Sequence, residues 1–116
     1  MSDYKFRVEF LEDAKEFLDG LDEKARKKIF YNIWKARSTN DKELFKKLKD
    51  EIWEFRTQFD KIYYRLFAFW DKMDKIDTIV ISTHGLIKKT GKIPKSEMER
   101  AEKLRIQYFN EKNKEK

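Results

Sequence analysis

A single α+β domain follows from three features of this chain. The opening residues alternate with a period of two, two adjoining helical stripes come next, and the centre holds strand-like runs closed by one more helical stripe. The 116 residues suffice to bury one core without disulfides or metal staples. A composition 40% hydrophobic and 16% aromatic predicts a folded protein, and 43% charged residues predict a thin core under a solvated shell. The expected architecture is an N-terminal strand and a helical hairpin packed on one face of an antiparallel sheet, followed by a C-terminal helix. It forms one domain over residues 1–116, with a frayed tail at 110–116.

In chain order, Tyr4, Phe6, Val8 and Phe10 alternate with Lys5, Arg7 and Glu9, the pattern of a half-buried strand. Ala14, Phe17, Leu18 and Leu21 then fall on one helical stripe. Gly20 followed by Asp22 reads as a helix stop and a new N-cap. A second helix over 23–37 is predicted to bury Ala25, Ile29, Phe30, Ile33 and Trp34 opposite Lys24, Lys27, Lys28 and Lys35. Two helices joined this tightly form an antiparallel hairpin, and the polar residues 38–41 end it. Leu44, Phe45 and Leu48 have the spacing of a short helical turn.

From about residue 51 the period returns to two. Ile52, Glu54 and Arg56 share one face of a strand, with Trp53, Phe55 and Thr57 on the other. Asp60 and Lys61 form a turn without the usual glycine. Residues 62–70 make the next strand, on which Tyr63, Arg65, Phe67 and Phe69 share a face. Residues 71–75 read as a polar turn, and 76–83 as a strand buried on both sides. A basic loop over 84–94 follows, holding the only histidine and the only proline. Ser96 and Glu99 have capping-box spacing ahead of a helix with Met98, Ala101, Leu104 and Tyr108 on its stripe. A hairpin covers one face of such a sheet, so function is expected on the other.

Composition removes several classes of chemistry. No cysteine means no disulfide framework, thiolate metal site or cysteine nucleophile. A single histidine, with no cluster at ligand spacing, gives no metal site. No glycine-rich phosphate loop is present, and no apolar run is long enough for a membrane span or a signal peptide. A cytoplasmic protein with no membrane partner and no cofactor is expected. Of the formal charge of +6, most lies after residue 83, where ten Lys or Arg face five acids. Such a basic region suits a polyanion, nucleic acid before membrane, and equally suits a solubilising surface.

What remains for chemistry is a set of cations: Arg56 and Arg65 on neighbouring strands, and Lys88 and Lys89 beyond the third. Converging on one surface they would suit a scissile phosphate. RNA carries its own 2′-hydroxyl nucleophile, so a protein need only align the backbone, move two protons and stabilise the added charge. Arginine clamps phosphate in a bidentate way, and one of two adjacent lysines is a base candidate through like-charge repulsion. Each residue also has an ordinary reading, as a strand arginine paired with an acid or as a solvated loop charge.

Taken together, IWEFR (52–56), YRLF (64–67), HGLIKKT (84–90), and Ile93 and Pro94 leading to Glu99, Arg100 and Ala101 resemble the RelE/ParE toxin superfamily, nearest its HigB-like, phage-associated branch. That family pattern has a W-E-L-R strand, a Y-R-hydrophobic strand, an H-G-F-x-K-K-T loop and an I-P- or T-P-led helix rich in E-x-E-R-A. The resemblance covers nearly the whole chain, and the order and spacing of the motifs carry it. It implies the toxin of a type II toxin–antitoxin module that cuts mRNA on the ribosome. It also implies a helix-turn-helix antitoxin as partner, with operator DNA reached only through that antitoxin. It places catalysis at Arg65, Lys88 and Lys89 and RNA binding at Arg56, Lys92 and Lys95, with Glu54, His84 and Thr90 supporting. No tyrosine is assigned, because a C-terminal helix replaces the short tail that carries a catalytic tyrosine in some relatives. Ile52 and Glu54 stand where lysine-rich relatives place lysines, a departure from their chemistry. A ParE-like gyrase inhibitor and a non-enzymatic co-repressor remain the other readings.

Overall fold

The computed structural model describes residues 6–72, 79–89 and 92–114. In chain order the elements are β1 (Arg7–Phe10), α1 (Glu12–Asp19), α2 (Glu23–Ser38), β2 (Phe45–Lys49), β3 (Ile52–Phe59), β4 (Ile62–Asp71), β5 (Ile79–Lys88) and α3 (Lys95–Lys114). The five strands form one sheet in the order β1-β5-β4-β3-β2. Strands β2 to β5 are antiparallel neighbours, whereas β1 lies parallel to β5, so the expected antiparallel sheet is a mixed one. No hairpin links β1 to β5; two helices and three strands separate them, and their relative direction is therefore not set by a turn.

Helices α1 and α2 cover one face of the sheet. Ala14, Leu18, Ala25, Ile29, Ile33 and Ala36 meet Phe55, Tyr64, Leu66, Ala68 and Val80 there. The link between the two helices is short because each end is satisfied by the other: Arg26 Nη1 on α2 donates to the Leu18 and Leu21 carbonyls at 3.3 and 3.1 Å, and Asp22 accepts from Lys24 N–H at 3.2 Å. The buried face of α2 is rotated from the expected one. Ala25, Ile29, Asn32, Ile33 and Ala36 point inward, while Phe30 and Trp34 stay exposed. Asn32 can face the core because its Nδ2 donates to Thr57 Oγ1 at 3.1 Å.

The second face is covered by α3, giving three layers where a one-sided sheet was expected. Ala101 and Met98 pack on Ile52, Phe67 and Leu86, while Tyr108 and Phe109 pack on Phe69, Ile79 and Ile81. Helix α3 starts at Lys95, with the Pro94 carbonyl accepting from Glu97 and Met98 N–H, so Ser96 lies inside the first turn and not at the cap. It continues to Lys114 through the segment expected to fray, since Tyr108 Oη donates to Asp71 Oδ2 at 2.6 Å and Lys112 pairs with the same oxygen. Asp71 is accordingly the buried last residue of β4 and not a solvated turn residue.

Three further expectations change. The predicted helical turn at 44–48 is the edge strand β2. Side chains three apart on a strand face opposite ways, so Phe45 packs toward the hairpin and Leu48 toward α3, beside a register shift between Lys47 and Lys49. Strand β5 runs on to Lys88, so His84 to Lys88 are strand and not loop. The turn between β3 and β4 does fall at Asp60 and Lys61, both with positive φ (53° and 65°), as a two-residue hairpin loop requires. Tyr4 of the expected first strand, residues 73–78 and Thr90 lie outside the described residues.

Candidate functional site

Strand pairing brings four of the expected residues to one end of the α3-facing side. Arg56 pairs with Arg65 across β3 and β4, Glu54 pairs with Phe67, and Lys88 on β5 is opposite Tyr63. Because side chains alternate along each strand, Glu54, Arg56, Tyr63, Arg65 and Lys88 all face the same way. The contacts of α3 reach Leu86, opposite Arg65, while Arg56, Tyr63 and Lys88 stay partly exposed beyond them.

Glu54 organises the cluster. Its carboxylate is 3% exposed and spans both arginines: Oε1 lies 3.2 Å from Arg65 Nε, and Oε2 lies 3.6 Å from Arg56 Nε. Arg65 is equally buried, and its Nη1 donates to the Tyr64 carbonyl at 3.0 Å. Arg56 is more open and also reaches Glu43 at 3.7 Å. The ion-pair distances do not bring hydrogen-bond angles, so Glu54 Oε1, Arg56 Nε and Arg65 Nε are buried without a hydrogen-bond partner among the described residues. Both guanidinium groups are thus balanced by the Glu54 charge and not by aligned hydrogen bonds from Nε.

Protonation follows from burial. Desolvation raises the Glu54 pKa above the ordinary carboxylate value, and Arg65 and Arg56 pull it back. Lys88 is pushed below the usual lysine value, first by burial and then by the Arg65 charge. Lys88 thus holds its proton less tightly than an ordinary lysine.

The other expected residues lie elsewhere. Lys89 is exposed just past the end of β5, Lys92 is exposed, and Lys95 is exposed at the start of α3. No described contact joins Lys89 or Lys95 to Glu54 or Arg65. His84 is buried beneath α3, stacked on Phe67 at 4.7 Å, with Nδ1 3.0 Å from Thr83 Oγ1 and Nε2 3.4 Å from Glu97. Glu97 in turn faces Arg100, which donates to Asp13 at 3.1 Å. His84 therefore ties β5 to α3 and α1 and takes no part in the cationic cluster. Lys46 was missed: it lies opposite Glu54 on β2 and adds to the positive field there, and the irregular period of β2 concealed it.

Beside Arg56 and Arg65 the surface opens into a groove of about 350 Å³ that crosses the edge of β3 to α2. Strand β2 ends its pairing at Phe55, so the outer edge of β3 beyond Arg56 has no strand partner among the described residues. No three His, Cys, Asp or Glu side chains converge on a metal position, and no helix is long and apolar enough to cross a membrane, among the described residues.

A five-stranded α+β domain with helices on both faces and a cationic cluster at one sheet end is compatible with the RelE-like class of fold. The chain belongs to the family described as "Phage derived protein Gp49-like (DUF891)", whose model matches residues 16–105. That family is a RelE-like toxin family, associated with the toxins of toxin–antitoxin systems. The matched span runs from the middle of α1 to the middle of α3 and contains every residue of the cluster. No curated protein matches the chain.

Proposed function

We propose that this protein is the toxin of a type II toxin–antitoxin module, of the HigB-like kind, and that it is an endoribonuclease cutting mRNA on the ribosome. The observation that carries this reading is the pair of arginines held by one buried carboxylate, with a proton-loosened lysine at the same sheet end. The likeness of its motifs to that branch, and the toxin association of its family, supply the biological setting.

In the proposed reaction Arg56 and Arg65 bind the scissile phosphate and stabilise the charge that grows on it as the 2′-oxygen attacks. Lys88 is the residue for proton transfer, because its lowered pKa lets it exchange a proton nearer neutral pH. Glu54 lies between the two guanidinium groups and acts as a positioning residue, holding both in register. The products of such an attack are a 2′,3′-cyclic phosphate and a free 5′-hydroxyl, with no metal drawn on. A helix-turn-helix antitoxin, with operator DNA reached only through it, completes the proposed system in the cytoplasm.

Induction of the protein in bacteria, with mRNA 5′ ends mapped alongside a DNA-damage reporter, tests this. Cleavage inside translated messages with a silent reporter is expected. Intact messages with an active damage response would replace the nuclease by a gyrase inhibitor. Intact messages with no growth arrest would leave a non-enzymatic co-repressor.

A further inference from the structure

Cutting RNA by 2′-oxygen attack requires two proton transfers, one from the attacking oxygen and one to the leaving 5′-oxygen. The two oxygens lie in line on opposite sides of the phosphorus. The groups that serve them therefore stand on opposite sides of the arginines that hold the phosphate. Lys88 supplies one of these groups, and the strand registers give the place of the other.

Arg56 and Arg65 form one cross-strand row. In the next row on one side, Lys46 of β2 lies opposite Glu54. In the next row on the other side, Lys88 of β5 lies opposite Tyr63. The two lysines thus flank the arginine pair on a diagonal, Lys46 outside β3 and Lys88 outside β4. Directly paired side chains share a face of the sheet, so Lys46 lies on the same side as Glu54. Burial agrees, since Lys46 is half-buried while Lys47 and Lys49 of the same strand are exposed.

Both Glu54 oxygens face the arginines, and Lys46 forms no close ion pair among the described residues. Its charge still reaches across the cluster, adding to the lowering of the Lys88 pKa. The phenol of Tyr63 also bears a proton, but it shares the row of Lys88 and so stands on the same side of the arginines as that lysine.

We propose that Lys46 is a second catalytic residue of the cluster, giving the leaving 5′-oxygen its proton from across the arginine pair. This rests on the endoribonuclease reading above. Lys88, as the amine, takes the 2′-hydroxyl proton as the 2′-oxygen bonds to phosphorus. The bond from phosphorus to the 5′-oxygen breaks, and the Lys46 ammonium gives that oxygen a proton. Lys88 ends as the ammonium and Lys46 as the amine, and exchange with water resets both.

The test is single-turnover cleavage of a defined message on translating ribosomes, at saturating protein so that binding does not enter. The message carries at the cut either its native linkage or one with sulfur in place of the 5′-oxygen, since a thiolate leaves without taking a proton. Lys46→Gln should slow the native cut by about 100-fold or more, and the sulfur linkage should restore most of the rate. Lys46→Arg keeps the charge but releases a proton far less readily, and it should behave in the same way. Lys88→Ala should stay slow on both linkages. Unchanged urea midpoints check the fold of each variant. A Lys46→Gln or Lys46→Arg protein that cuts the native linkage like the parent overturns the assignment and leaves the nuclease reading in place. Equal slowing of a folded Lys46→Gln protein on both linkages also overturns it, and makes Lys46 a charge that holds the phosphate. A parent protein that cuts neither linkage overturns the nuclease reading itself, and the role of Lys46 with it.

Discussion

Glu54 determines how the cluster tolerates mutation. Its carboxylate and the Arg65 guanidinium are both 3% exposed, so removing Glu54 strands the buried Arg65 charge, and removing Arg65 leaves Glu54 only its longer pair with Arg56. Arg65→Ala should lower stability by about 3–5 kcal/mol, read from urea unfolding, with less loss when Glu54→Gln accompanies it. Loss of toxicity in Arg65→Ala alone would therefore mix folding with catalysis, and Lys88→Ala, at the less buried end of the cluster, separates them. His84 gives a second residue-level expectation. Burial, reinforced by Arg100, depresses its pKa to about 4, which keeps the imidazole neutral at pH 7. A depressed histidine pKa means the folded state resists protonation, so its stabilising contribution is full above the ordinary value near 6.5 and is lost as pH falls through about 4. The stability difference between wild type and His84→Gln should shrink across that window by about 3 kcal/mol. A constant difference would mean that His84 is solvated. Arg56, Arg65 and Glu54 were legible before the structure because alternation along a strand fixes which side chains share a face. The place of His84 was not, because the residues that bury it come from α1 and α3.

Among the elements, β5 departs most from its expected form. A histidine and a glycine followed by two lysines have the composition of a loop, yet β5 continues through them to Lys88 because β4 offers a partner at every step. Gly85 is needed there for packing and not for an unusual backbone angle. A Cβ at this position would lie 2.1 Å from Cδ2 of Phe17, so the glycine lets α1 press onto the strand. Gly85→Ala should cost about 1–3 kcal/mol in thermal or urea unfolding, and Phe17→Leu in the same chain should recover part of it. An additive double variant would show that the two residues do not meet. Strand β2 was hidden for a different reason. Strand alternation places Phe45 and Leu48 on opposite faces, where both are partly buried, so their spacing mimics a helix. Helices α1 and α2 were readable in extent, but the inward face of α2 turned on the Asn32 to Thr57 bond, which only the folded chain reveals.

For the molecule as a whole, the arrangement of layers decides where function can lie. Two helices cover one face, α3 covers most of the other, and the cationic cluster occupies the end where Arg56, Tyr63 and Lys88 stay partly exposed. The α3 anchor at Asp71, Tyr108 and Lys112 and the latch at His84, Glu97 and Arg100 hold that opening in place. One sheet end thus carries the groove, the arginine pair and Lys88 together, and the central claim is that this end cleaves RNA by 2′-oxygen attack. The most direct measurement is end-group analysis of a defined message cut by the purified protein on translating ribosomes. The predicted result is a 2′,3′-cyclic phosphate and a 5′-hydroxyl at each cut. A single 2′-deoxy substitution at the cut site, or Lys88→Ala in the protein, should abolish the cut. Products ending in 3′-hydroxyl and 5′-phosphate, or cleavage that survives the 2′-deoxy substitution, would contradict it.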